Sequence, residues 1–408
     1  MDNIEKAIIE KIDNMKSDII QFLQDLIKIP SEVPPGKYKE ISNFVESKMK
    51  EFKLNTKVKK KNIIGEIGNE NGSSLIFNAH IDTVATYDGW TKDPYEGEIV
   101  GNKIYGRGAA DDKACVAAEI FAAKALLDLG INLNGKLIIT AVINEEIGGL
   151  LGAEYLVKDE VITGDACILG DVCCDYPIAY LGGTMQISFI TKGIRRHAQT
   201  YPDLPPPYRS KYSAINAIGK MLKIMNFLME LQEEFKKIET KYPLHPDFPC
   251  KISSVNFTMI NGGNSVTTIP DKCILQCLIS VIPEMDLDSI KVRIFNFVES
   301  LKKEDPDLNI TAQIGAYIKP QIIDTNSIFA QVVKKAFKTV FEEERDFKAF
   351  IPTTDAQTFQ EKGIETILIG SLRGENNHHA QDEFVYIDDV INVTKIYALT
   401  ASNYLKKI

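Results

Sequence analysis

The run Leu75-Ile76-Phe77-Asn78-Ala79-His80-Ile81-Asp82-Thr83-Val84 ends an apolar strand pattern in two side chains fit for chemistry. Residues two apart in a strand face the same way, so His80 and Asp82 can aim at one spot. A carboxylate behind an imidazole is how proteins orient a metal-binding histidine. Alone, the pair reads more simply as a hydrogen-bonded histidine at a strand end. Further groups of the same kind change that: Asp111 with Asp112, Glu145 with Glu146, Asp171, and His378 with His379. Imidazole and carboxylate without thiolate suit Zn2+, and also Co2+ or Mn2+, rather than an iron–sulfur or copper(I) centre. Taking one ligand from each of the five groups, two histidines and three carboxylates exceed what one tetrahedral zinc needs, so two metals roughly 3.5–4 Å apart are expected. Such a pair clamps attacking and departing oxygens and brings the pKa of bound water near neutrality. Adjacent Glu145 and Glu146 then divide the work, one ligating and the other taking the proton from water.

These groups need a scaffold, and the hydrophobic pattern supplies one. Residues 74–78, 136–143 and 165–169 read as strands, and a candidate group follows each. Residues 114–129 read as a helix closed by Gly130. Alternating strands and helices predict an α/β domain with a mostly parallel sheet. In such sheets ligands bind beyond the carboxyl ends of strands, so distant segments meet in one crevice. From Gly183 the order changes to strand 185–191, helix 213–237, strands 251–260 and 272–282, helix 287–302 and strand 308–315. This is the split βαβ, ferredoxin-like α+β order. The α/β pattern then resumes with helix 327–341, strand 366–369 and helix 388–405. The expected domains are 1–182 with 316–408, and an inserted 183–315. The proline run at 201–208 reads as a stiff loop within the insert.

Composition agrees. A chain of 408 residues is more than one core usually serves. Hydrophobic content of 44% with 25% charged residues fits a soluble globular protein. A net charge of -9 argues against nucleic acid and against an anionic membrane as partners. No stretch is apolar enough to span a bilayer, and the first residues lack signal-peptide character. Seven cysteines without a CxxC pair read as reduced thiols, hence a cytoplasmic protein, with Cys173-Cys174 as buried thiols. Gly106-x-Gly108 lacks the rest of a nucleotide loop. Trp90 reads as core or rim packing, and His245, in a polar loop, carries no functional signal.

Five segments in order resemble one family: Asn78 to Val84; Tyr105-Gly106-Arg107-Gly108-Ala109-Ala110-Asp111-Asp112-Lys113; Asn144-Glu145-Glu146-Ile147-Gly148; Leu169-Gly170-Asp171; and His379-Ala380-Gln381-Asp382-Glu383. The family is that of the co-catalytic zinc amidohydrolases, comprising acetylornithine deacetylase, succinyl-diaminopimelate desuccinylase and glutamate carboxypeptidase. The resemblance implies a zinc-peptidase-like catalytic domain and an inserted lid and dimerisation domain. It implies two Zn2+ per subunit: His80 and Asp171 on one, Glu146 and His379 on the other, Asp111 bridging. It implies Asp82 as support for His80, Glu145 as general base and then acid, and a cis peptide at Asp111–Asp112. Its spacing of histidine and glutamate selects His379 with Glu383 over His378. By the same analogy His197, four residues after Gly193, reaches the partner's site in a homodimer and stabilises the oxyanion. Asp112 also reads as the N-cap of the helix that follows.

The substrate side departs from the family. Asparagine is expected three residues before Ile269-Pro270's proline, where this chain has Thr267, with Asn264 nearby. Arginine is expected three residues before Pro283, where this chain has Ser280, which cannot form a bidentate pair with a carboxylate. Arg373 is the candidate replacement, and Thr354 a candidate donor to substrate. The implied function is deacylation of an N-acyl amino acid. The alternatives are a carboxypeptidase or dipeptidase, and an inactive binding subunit, against which the full catalytic set argues.

Overall fold

A computed structural model describes residues 1–172, 174–199 and 211–406, so Cys173 and the proline run at 201–208 lie outside the described residues. The central sheet runs in the order Asn55–Lys59, Asn62–Gly68, Gly135–Val142, Ser73–His80, Ala166–Leu169, Glu365–Leu368, Ile178–Leu181, Gln321–Ile322. Lys348–Phe350 also pairs with Ile178–Leu181. Its middle is parallel and its edges antiparallel. Ser73–His80 lies between two parallel neighbours. Alternation sends Leu75, Phe77 and Ala79 into one core and Ile76 into the other. Helices Lys113–Asp128, Ile328–Phe341 and Ile387–Tyr404 cover the first face, and Ala153–Lys158 and Ala356–Glu361 the second. Lys113–Asp128 is alanine-rich and buried along nearly its whole length, so it packs closely under the strand that carries His80. The chain opens with two helices, Asn3–Asn14 and Lys16–Ile27, which break at Met15.

The insert is a four-stranded antiparallel sheet in the order Ser254–Gly262, Lys272–Val281, Gly183–Lys192, Asn309–Ile318. With helices Ala217–Phe235 and Leu287–Glu304 it has its own core, which includes Phe189, Leu228, Leu275 and Ile294. This is the expected ferredoxin-like order, and its last strand continues past residue 315 to Ile318.

Two features join insert and body. Leu181, before the insert, pairs with Gln321, after it. Between them a Cβ on Gly182 would fall 2.2 Å from the Ile351 carbonyl oxygen, and one on Gly183 2.7 Å from the Pro320 nitrogen, so the junction admits only glycine. The second feature is a loop of the insert that packs back on the body. The His245 N–H donates to the Ala349 carbonyl at 3.3 Å, and the Phe248 and Phe350 rings meet edge to face at 5.0 Å. His245 is 1% exposed, with Nδ1 accepting the Asp247 N–H at 3.1 Å and Nε2 lying 2.8 Å from Asp175. The residue with no functional signal in sequence is therefore a buried joint between domains.

Candidate metal centre

His80 stands where its strand ends, 2% exposed. Its backbone N–H donates to Asp112 at 3.1 Å. Its Nδ1 is 3.0 Å from the Asp82 carbonyl and 3.6 Å from that residue's carboxylate. Nε2, the outward nitrogen, is 2.9 Å from Asp111 Oδ1. The other Asp111 oxygen is 3.2 Å from His379 Nε2, which is also 2.9 Å from Glu146 Oε2. Asp111 thus gives one oxygen to each histidine, the shape of a bridging carboxylate. His80, Asp111 and Glu146 each offer a ligand atom within 4.8 Å of the others.

Local folding explains the convergence. After Val142, Asn144 takes a left-handed φ of 67° and turns the chain into the 3-10 segment Glu145–Ile147. Asp82 accepts the N–H groups of Glu145 and Glu146, each at 3.3 Å, so this one residue meets the histidine through its carbonyl and the glutamate turn through its carboxylate. The Asp111–Asp112 peptide is cis, as the family resemblance implies. Asp112 departs from expectation. It precedes helix Lys113–Asp128, yet its side chain caps none of that helix's N–H groups and holds the His80 backbone instead. Glu383 is buried, pairs with Arg107 at 2.6 Å, and accepts the Ala110 and Asp111 N–H groups at 3.0 and 3.3 Å. Of the two candidate histidines, His379 is the one that reaches the carboxylates. His378 lies beside it with ring centroids 5.7 Å apart.

Electrostatics tests whether the group fits cations. Burial opposes charge on His80, but Asp111 and Asp82 outweigh it and raise its pKa well above the usual value. Hydrogen bonds to Asp111 and Glu146 raise His379 to about 10. Burial works against the Asp111 carboxylate, yet His379 and His80 hold it far below the usual range. A pocket that forces imidazoles positive is one in which buried carboxylates demand positive charge, and this donor set fits two divalent cations. Glu145 is pushed well above the usual carboxylate range by burial, with Asp355, Asp171 and Asp111 adding to the rise. That direction suits a proton acceptor and donor.

The remaining predicted residues divide. Asp171 follows strand Ala166–Leu169 with a φ of 139°. Burial, then Asp111 and Asp112, raise its pKa, so the charge of the centre reaches it although it is not among the three ligand residues grouped above. Thr354 lines a cleft of ≈ 260 Å³ with Glu145, Gly148, Asp355 and Tyr317. Its hydroxyl accepts the Ala356 N–H at 3.2 Å. His197 lies in the insert, on the short strand Arg196–His197, which pairs with Thr268–Ile269. Asn264 lines a separate cleft of ≈ 230 Å³ in the insert with Arg195, Asp271 and Lys272. Thr267 accepts the Ala198 N–H at 2.8 Å, and Ser280 sits in the sheet opposite Thr184 and Ser254. Arg373 does not offer a free fork for a substrate carboxylate. Its guanidinium is bidentate to Asp389 at 2.6 and 2.8 Å and lies 3.7 Å from Asp175. Trp90 packs at the rim, 5.2 Å from the Arg107 guanidinium. Sequence reasoning missed Tyr87, whose hydroxyl donates to the His379 carbonyl, and no local signal marks such a bond across 292 positions.

Known proteins resemble this chain along most of its length. Residues 76–403 match Peptidase family M20/M25/M40. A Halalkalibacterium halodurans protein, N-formyl-4-amino-5-aminomethyl-2-methylpyrimidine deformylase, is 25% identical over 96% of each chain. Acetylornithine deacetylase of Buchnera aphidicola is 29% identical over 70% of this chain and 73% of its own. Among solved structures, a Bacillus subtilis dinuclear metal-binding peptidase of the M20 family superposes with a TM-score of 0.73 at 15% identity, covering 97% of this chain and all (100%) of its own.

Proposed function

Since this chain belongs to peptidase family M20/M25/M40 and is therefore a hydrolase of amide bonds, we propose that it is a cytoplasmic deacylase working with two bound zinc ions. Its substrate is an N-acyl amino acid or a small N-acylated amine. The observation that carries the two-metal reading is Asp111, whose oxygens face different histidines at 2.9 and 3.2 Å. His80 and Asp171 would hold one cation and Glu146 and His379 the other, with Asp111 available to both. When bound, the cations supply Lewis-acid polarisation of the scissile carbonyl and lower the pKa of water. Asp82 fixes the His80 ring and the glutamate turn together. Glu145 accepts the proton of the attacking water and returns it to the leaving nitrogen. Thr354 donates to the substrate from the cleft wall, and His197 of a second subunit serves the oxyanion.

That homodimer is supported by the insert's edge. Strand Ser254–Gly262 closes its sheet on one side only and exposes Met259 (63%) and Ile260 (57%). Helix Ala217–Phe235 exposes Leu222 and Met229. The small acyl groups named in the relatives favour deacylation over cleavage of peptides.

The test pairs one variant with a substrate panel. Glu145→Gln keeps the shape but cannot accept a proton, so it should retain both metals and lose about 10²- to 10⁴-fold in kcat. Full activity at full metal content would remove Glu145 from this role. N-formyl, N-acetyl and N-succinyl amines assayed beside dipeptides then decide the substrate class, and preferential turnover of dipeptides would overturn the deacylase reading.

A further inference from the structure

The residues grouped around Asp111 are not held alike. His80, Asp111 and Glu146 have side chains 3%, 11% and 4% exposed, and His80 ends a central strand. The His379 side chain is 50% exposed, on a loop in which Asn377, His379 and Asp382 have φ of 56°, 58° and 54°. A half-exposed imidazole on such a loop pays ordering entropy when it binds, unless something orders it beforehand.

The segment 87–92, a few residues beyond His80, does this. The Tyr87 hydroxyl donates to the His379 carbonyl. Gln381 donates to the Asp88 carbonyl at 3.2 Å. Asp382 accepts the Thr91 N–H at 2.8 Å, the Thr91 hydroxyl at 2.7 Å and the Lys92 N–H at 3.1 Å. Most of these bonds are exposed to solvent, while the buried Arg107 reaches the Ala380 carbonyl at 3.2 Å. The loop is thus held both by exposed bonds to segment 87–92 and by a buried arginine.

We propose that Tyr87 and Asp382 are positioning residues for His379, and that they set the affinity of the metal position His379 shares with Glu146. The position at His80 is independent of them, because that ring is fixed by Asp82 and by its strand. The inference rests on the two-metal reading above. It predicts two metal positions of unequal sensitivity, one built into the sheet and one built by a clasp between loops.

The experiment titrates the full chain, stripped of metal by chelator, with Zn2+ in competition with a chromophoric chelator. Tyr87→Phe removes one hydroxyl, and Asp382→Asn keeps the shape but loses the charge. In each variant the second equivalent should weaken by about 10- to 100-fold while the first is unchanged. Excess Zn2+ should restore kcat. Circular dichroism melts confirm folding, and if Asp382→Asn does not fold, Tyr87→Phe decides alone. Equal weakening of both steps, or no change in either, overturns the assignment. A wild-type chain that takes up fewer than two equivalents overturns the two-metal reading itself, and this inference with it.

Discussion

At the scale of single residues, the centre is surrounded by carboxylates that do not all serve it. Glu119, midway along helix Lys113–Asp128, is fully buried, and neither of its oxygens has a hydrogen-bond partner among the described residues. Burial, with Asp112 adding to it, raises its pKa well above the usual 4.5. The sign of the consequence follows from linkage. Above about pH 4.5 the unfolded chain releases this proton and the folded chain keeps it, so stability falls as pH rises toward the folded pKa. Below the unfolded value both states are protonated and this contribution vanishes. Glu119→Met removes the ionisable group and its desolvation cost. At about pH 8 the variant should be more stable by roughly 1–3 kcal/mol, and the gap should narrow toward pH 4.5. Thermal melts across that range check it, and parallel curves for the two proteins would contradict the account.

At the scale of elements, the 3-10 turn Glu145–Ile147 carries the most consequence per residue. Just beyond it Gly149 has a φ of 68°, and a Cβ there would lie 2.3 Å from the Asp355 carboxylate. Gly149→Ala should therefore cost about 1–2 kcal/mol in backbone conformation alone and displace Asp355 from Glu145. Steady-state kinetics and a melt should show both a lower kcat and a lower Tm, whereas an unchanged kcat would separate this turn from the chemistry. The turn also shows what was legible in the sequence. Charged residues that end apolar runs, as at His80, Glu145 and Asp171, announce strand ends because buried strands tolerate such groups only at their tips. The ferredoxin-like order of the insert was legible for the same reason, since alternation exposes each amphipathic element. Arg373, His245 and Tyr87 were not, because their partners lie between 16 and 292 positions away. Asp112 does stand at the N-cap position, but its side chain accepts the His80 N–H across 32 positions and caps no N–H of the helix, which no local pattern announces.

At the scale of the whole molecule, two folding units must keep register while the chain passes from one to the other and back. His245→Gln should weaken the joint to Asp175, a hydrogen bond to a charged group of roughly 1.5–3 kcal/mol. Hydrogen exchange should then accelerate at 244–248 and around Arg373, which shares Asp175, and leave strand Ser73–His80 protected. Faster exchange throughout both domains would mean that the joint holds the global fold rather than the interface. The side-by-side pairing of Leu181 and Gln321 has a consequence of another kind. The insert leaves and rejoins the body across a single strand spacing, about 4.8 Å, so a linker of a few residues would close the gap if the insert were deleted. In covalent terms it is a detachable module, which an ancestral body could have acquired without rerouting its own chain. In packing terms it is not, since excision would also take away His245 and Phe248 and leave Asp175 and Phe350 facing solvent. A minimal body engineered from this chain must therefore be resurfaced at that scar as well as re-ligated.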